Sequence, residues 1–122
     1  MKTKIRWLRP IETGLPFEDR EVELAAEPSI DELHRVLDPL LGTSHLEHVR
    51  VYVGDTPFLG PSAYRDMFVD EDGIARGLER NEMATFLYRR NWLLHEKEPG
   101  EAASLPSIVG PAVFFPERIV WR

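Results

Sequence analysis

Apolar and polar residues alternate in three short stretches of this chain, which is typical of half-buried β-strands. In residues 5–8, Ile5 and Trp7 fall on one side, and Lys4, Arg6 and Leu8 fall on the other. Residues 21–25 alternate in the same way, and valines recur at every second position within residues 48–53. The first two stretches are close enough in sequence to predict an antiparallel hairpin.

A helical pattern follows the second stretch. Ser29 and Glu32 have the spacing of a capping box, in which each side chain binds the other residue's backbone amide. Apolar residues then recur every three or four positions, which predicts one buried side. Pro39 and Gly42 predict that this helix is short, because proline lacks an amide donor and glycine favours a helix end.

The second half of the chain predicts a hairpin, a helix and a buried strand. Residues 66–69 and 74–78 are separated by an acidic turn that ends in glycine, which favours a hairpin. Asn81 is the predicted N-cap of a helix that runs to about His95. Residues 108–115 are nearly all apolar, which indicates a strand that is buried on both faces.

These elements predict a single α+β domain over residues 1–122. We expect a mixed, mostly antiparallel sheet with two helices packed on one face. The length allows one hydrophobic core, and the hydrophobic fraction of 43% is typical of a globular protein.

The composition excludes several classes of function. The chain has 21 acidic and 15 basic residues, and its formal charge of −6 disfavours direct binding of nucleic acid. The absence of cysteine excludes disulfides, thiolate catalysis and cysteine-based zinc sites. No stretch approaches the roughly 18 apolar residues of a membrane span, so we expect a cytoplasmic protein without membrane contact. No cofactor motif is present, and no cofactor is predicted.

Two stretches have the residue types of a metal site but not the spacing. His45 and His48 are three residues apart where a strand is expected, and such residues point to opposite faces. The acidic run 70–72 is followed too early by Gly73 for a calcium-binding loop. We therefore predict no metal site, no catalytic residue and no nucleophile elbow.

The start of the second helix is a candidate anion site. The free amides and positive dipole end of a helix attract anions, and arginines and a tyrosine lie nearby. The residues assigned to this ligand site are Arg80, Asn81, Tyr88 and Arg89. The same residues are also explained by capping, packing and solvation, and the sequence leaves both interpretations open.

The second helix is apolar around much of its circumference, which suits either a central helix or a helix that faces a partner. The residues assigned to partner binding are Phe86, Arg90, Trp92 and Leu93.

Three runs in the second half form a recognisable pattern. They comprise Val69-Asp70-Glu71-Asp72-Gly73, then Gly77-Leu78 with Asn81, Ala84 and Leu87-Tyr88, and finally Ile108-Val109-Gly110-Pro111-Ala112-Val113. Over residues 66–114 the chain resembles a family of small uncharacterised proteins, a domain of unknown function found in phages, plasmids and bacterial genomes. Glu79 and Glu82 replace a proline and an arginine of that family's motif. The resemblance implies a mobile-element setting and no catalytic residue.

We therefore expect a non-catalytic accessory protein of a phage or mobile element. It would bind a host protein or other host macromolecule, for example to inhibit a defence or regulatory system. One alternative is a protein that binds or sequesters a nucleotide or other small anionic ligand. A third is a small enzyme with a carboxylate base. The sequence leaves homo-oligomerisation open.

Overall fold

The chain forms an antiparallel sheet with two helices. A computed structural model describes residues 2–10, 17–54, 63–95 and 107–119, and for residues 91–95 it describes the backbone but not the side chains. Within these residues the elements are β1 (Lys2–Leu8), β2 (Phe17–Glu23), α1 (Ile30–Leu41), β3 (Leu46–Tyr52), β4 (Tyr64–Asp70), α2 (Glu82–His95) and β5 (Ala112–Phe114). Neither helix in this part of the chain is long and apolar enough to cross a membrane.

The sheet has the strand order β2-β1-β5-β4-β3, and each neighbouring pair is antiparallel. The predicted α+β class is confirmed. So is the predicted hairpin of β1 and β2. The last strand in sequence, β5, lies at the centre of the sheet, and all three of its residues are buried.

The two helices pack against different sets of strand residues. The buried residues of α1 form a cluster with Phe68 and Val113, whereas α2 packs with their sequence neighbours Met67, Ala112 and Phe114. Successive residues of a strand point to opposite faces, so the helices cover opposite faces of the sheet. The expectation that both helices lie on one face is therefore not confirmed. An amphipathic stripe indicates that a helix has a buried side, but not which sheet face it covers.

The first helix begins as predicted, although its capping box is incomplete. The Ser29 hydroxyl accepts a hydrogen bond from the Glu32 amide at 3.2 Å. The Glu32 carboxylate does not return this bond. It accepts instead from the Ala25 amide, at 3.0 and 3.1 Å. Glu32 thus fixes the connection between β2 and α1.

The same helix is longer than predicted. Pro39 lies inside it, and the helix ends at the left-handed Gly42, whose amide donates to the Asp38 carbonyl at 2.8 Å. Proline removes one backbone donor. Pro39 is exposed and close to the helix end, so the helix tolerates this loss.

The predicted second hairpin is wrong. After β4 the chain forms consecutive turns over residues 71–77, and residues 74–78 form no strand. The Asp70 carboxylate accepts a hydrogen bond from the Asp72 amide at 2.8 Å, and the Arg76 amide donates to the Asp72 carbonyl at 2.9 Å. These local bonds compete with strand pairing, as aspartate side chains often do.

Oppositely charged residues face each other across the β1–β2 hairpin. The register pairs Lys2 with Glu23, Lys4 with Glu21 and Arg6 with Asp19. The Arg6 guanidinium donates to both oxygens of Asp19, at 2.8 and 3.1 Å. In these three pairs the basic residues lie on β1 and the acidic residues lie on β2, which is an edge strand.

Asn81 joins three parts of the fold. Its side-chain oxygen accepts from the Ala84 amide at 3.1 Å and so caps α2. Its side-chain nitrogen donates to the Leu8 carbonyl at 3.1 Å and to the Gly110 carbonyl at 2.9 Å. The side chain is fully buried. One amide group therefore holds the start of α2 against the end of β1 and the residues that lead into β5.

Replacing Asn81 by aspartate tests this role. At most helix N-caps the two residues are nearly equivalent. Here the substitution places a carboxylate against two carbonyl oxygens in a buried site, so we expect Asn81→Asp to lower the free energy of unfolding by roughly 2–4 kcal/mol. Chemical denaturation measures this change.

The matched control is Ser29→Asp, at the cap of α1. Ser29 only accepts a hydrogen bond there, so aspartate should change the stability by less than about 0.5 kcal/mol. Equal effects of the two substitutions would show that Asn81 is an ordinary cap.

Candidate functional site

A pocket of about 230 Å³ lies where β3, β4 and α2 meet the turns at 71–77 and the residues before β5. Glu47 and Val49 of β3 line it together with Val69 of β4. The register pairs Glu47 with Val69, which places these side chains on the sheet face covered by α2. The sheet supplies an apolar floor with a carboxylate beside it.

One wall of the pocket is formed by the turns after β4. Gly73 approaches Val109 so closely that a Cβ at Gly73 would lie 2.8 Å from the Val109 Cγ2 and 3.0 Å from its carbonyl oxygen. Glycine is required at position 73 by this contact, whereas the positive φ of the turn is at Gly77. Glu71 and Ile74 of the same turns line the pocket.

A second wall of the pocket is held by the first turns of α2. The backbone amide of Asn81 donates to the Ile108 carbonyl at 2.8 Å. The Thr85 hydroxyl donates to the same carbonyl at 3.1 Å and accepts from the Ile108 amide at 2.9 Å. Thr85 is almost fully buried. These bonds fix residues 107–109 beside Tyr88, which completes the lining.

The carboxylate of Asp70 is the buried charge next to the pocket. One of its oxygens accepts from the Asp72 amide and the other pairs with the Arg76 guanidinium. The Asp70 side chain is fully buried, so this pair neutralises it. Asp70 therefore holds the turns in place. Both of its oxygens are engaged, which leaves it poorly placed to act as a general base.

The electrostatic character of the pocket is acidic. Glu47 and Glu71 are exposed at its rim, and among the described residues that line it none carries a positive charge. The nearby cationic groups Arg76 and His45 pair with Asp70 and Asp72. This pocket is suited to a cation and not to an anion.

The four residues assigned to an anion site do not converge. Tyr88 lines the pocket and is half-buried, but Asn81 uses its side-chain donors and acceptor inside the protein. Arg80 is exposed and pairs with Glu82 at 3.0 Å. Arg89 is half-buried and does not line the pocket. We therefore leave Arg80, Asn81 and Arg89 out of the candidate site.

The residues assigned to partner binding have different environments. Phe86 is 63% exposed on α2. Arg90 donates to the Gly54 carbonyl at 2.9 Å and so ties α2 to the end of β3. The side chains of Trp92 and Leu93 lie outside the described residues. Of the two members whose side chains the structure describes, Phe86 offers an apolar surface.

Three histidines each pair with a different aspartate. The nitrogen–oxygen distances are 2.9 Å for His34–Asp38, 2.5 Å for His45–Asp72 and 2.5 Å for His48–Asp66. In the part of the chain that the structure describes, no three histidine, aspartate or glutamate side chains are grouped to hold a metal. His45 and His48 thus contact two different aspartates.

Glu47, Glu71 and Ser107 line the pocket but were not predicted as site residues. The alternation of Glu47 and Val49 places both on one face of β3. That pattern alone does not identify the pocket, because the β3–β4 pairing and the turns at 71–77 are needed to bring Glu71 beside Glu47.

Comparisons of the chain with protein-family models, with curated proteins and with solved structures return no match.

The His45–Asp72 pair predicts a pH-dependent stability. The hydrogen bond and the charge of Asp72 raise the pKa of the His45 imidazole above its usual value of 6.5. A raised folded-state pKa stabilises the fold fully below the unfolded value, and this stabilisation is lost as the pH rises through the folded value. We expect His45→Gln to lower Tm at about pH 5.5 and to have little effect at about pH 8.5.

Asp72→Asn keeps the histidine but removes its partner, so it should abolish the same pH-dependent part of Tm. A deficit in His45→Gln that is equal at both pH values would contradict the assignment. Thermal unfolding followed by circular dichroism measures all three proteins.

Proposed function

We propose that this protein is a non-catalytic accessory protein that acts by binding a host protein. The observation that carries the proposal is the exposure of Phe86, which is 63% accessible on a helix whose other side is packed into the core. Aromatic side chains of this kind are common anchors of protein interfaces. The outer surface of α2, centred on Phe86, is the proposed contact.

The arrangement of the polar groups supports binding over catalysis. The histidines at 34, 45 and 48 pair with separate aspartates, and the carboxylate of Asp70 is engaged by Arg76. Acid–base and nucleophilic catalysis need such groups to converge on one reacting atom. In the described residues they serve turns, strands and helices instead.

The mobile-element part of the proposal comes from the resemblance of residues 66–114 to a phage, plasmid and bacterial family. A protein from such an element meets its host inside the cytoplasm, where inhibition of a defence or regulatory system is the effect that we propose. The acidic net charge of −6 is compatible with a protein target and disfavours nucleic acid.

Sequestration of a nucleotide is a weaker candidate. It would need the four predicted anion ligands to face one cavity, and Asn81 is fully buried with its amide group engaged. No described contact favours it.

Capture of a partner tests the proposal. We expect the wild-type protein to retain a stoichiometric host protein from lysate, and Phe86→Ser to bind that purified protein about tenfold more weakly. The reason is the loss of an apolar anchor from the interface. Isothermal titration calorimetry measures the dissociation constants.

Ile30→Ser is the matched control, because Ile30 is 50% exposed on the other helix. It should bind as the wild type does, and both variants should keep the wild-type Tm. The proposal fails if no partner is retained, or if the two serine variants bind equally well.

A further inference from the structure

We infer that the pocket beside α2 receives a basic side chain of the partner, an arginine or a lysine. This inference rests on the proposed function, because it names the chemistry of the host protein. The partner would present a basic segment to the surface formed by the rim of the pocket.

Charge is the first argument. Glu47 and Glu71 are both exposed at the rim, and no described lining residue is cationic. The carboxylate of Asp70 is neutralised by Arg76, so the attraction comes from the two glutamates. A cleft with apolar walls and charges of one sign concentrates the field at its mouth.

The shape of the lining is the second argument. Val49, Val69 and Ile108 form apolar walls that suit the methylene stem of an arginine or lysine. The aromatic ring of Tyr88 adds a surface on which a cation binds favourably. The polar end of such a side chain would then meet the carboxylates at the rim.

The volume of the pocket favours a single side chain over a metabolite. Pockets for drug-sized ligands occupy roughly 300–1,000 Å³. The volume here is about 230 Å³, which is below that range. A nucleotide would also bring phosphates against two glutamates, and this is unfavourable. A basic side chain that protrudes from a protein fits the volume of the pocket and complements the charge of its glutamates.

A basic peptide probes the pocket directly. The probe is acetyl-Gly-Arg-Gly-Arg-Gly-amide, and the neutral control is the same peptide with citrulline in place of arginine. We expect the arginine peptide to bind and to shift the NMR signals of Val49, Val69 and Tyr88. Its affinity should fall as salt rises, because exposed charges are screened. The citrulline peptide should not bind.

Variants of the rim make the test specific. Glu47→Gln and Glu71→Gln should each weaken peptide binding roughly two- to fivefold, as expected for exposed ion pairs. Glu117→Gln is the matched control, because it makes the same charge change at an exposed residue outside the pocket. It should leave the affinity unchanged. Equal binding of the arginine and citrulline peptides, or equal loss in all three variants, would overturn the inference.

The host partner separates the two proposals. If the Glu47→Gln, Glu71→Gln double variant loses affinity for the captured protein, the inference is supported. If the double variant binds that protein as the wild type does, and binding still depends on Phe86, the inference fails and the proposed function stands. Failure to capture any partner, with the peptide still bound, would remove the proposed function and leave only the preference of the pocket for a basic side chain.

Discussion

The fold depends on one buried amide group, that of Asn81. Its hydrogen bonds join the start of α2 to the carbonyls of Leu8 and Gly110, which are distant in sequence. The central strand β5 has only three residues, so its own ladder is short. A strand this short needs other contacts to hold the residues that lead into it. Asn81 supplies them through its side-chain bond to Gly110 and its backbone bond to Ile108. The position of β5 in turn sets the order of the whole sheet.

The parts of the fold that the sequence predicted are those governed by local patterns. The alternating valines of β3, the cap of α1 at Ser29 and the cap of α2 at Asn81 each depend on residues a few positions apart. The parts it did not predict depend on distant partners. Nothing near Asn81 indicates that its amide nitrogen also serves two carbonyls. Likewise, the spacing of Ser29 and Glu32 does not reveal that Glu32 binds the Ala25 amide.

The candidate site also depends on contacts between distant residues, which the sequence did not predict. Tyr88 was identified from its place in an apolar and basic helix, but its neighbours Glu47 and Glu71 come from the pairing of β3 with β4 and from the turns after β4. The sequence placed a strand where those turns lie, because Gly73 after an acidic run is typical of a hairpin. The structure uses Gly73 for close contact with Val109 instead. This contact holds the turns with Glu71 and Ile74 against Val109, and all three residues line the acidic pocket.

The separation of charge across the β1–β2 hairpin has a consequence for what can lie beside the sheet. The outer edge belongs to β2, whose charged residues are acidic except for Arg20, and the basic partners of Asp19, Glu21 and Glu23 are on the inner neighbour β1. A second copy of β2 placed along this edge would set carboxylate against carboxylate, and exposed edges are commonly protected by such charges. Charge repulsion therefore disfavours extension of the sheet by a second copy of the chain. A strand rich in lysine or arginine would be compatible with the β2 edge.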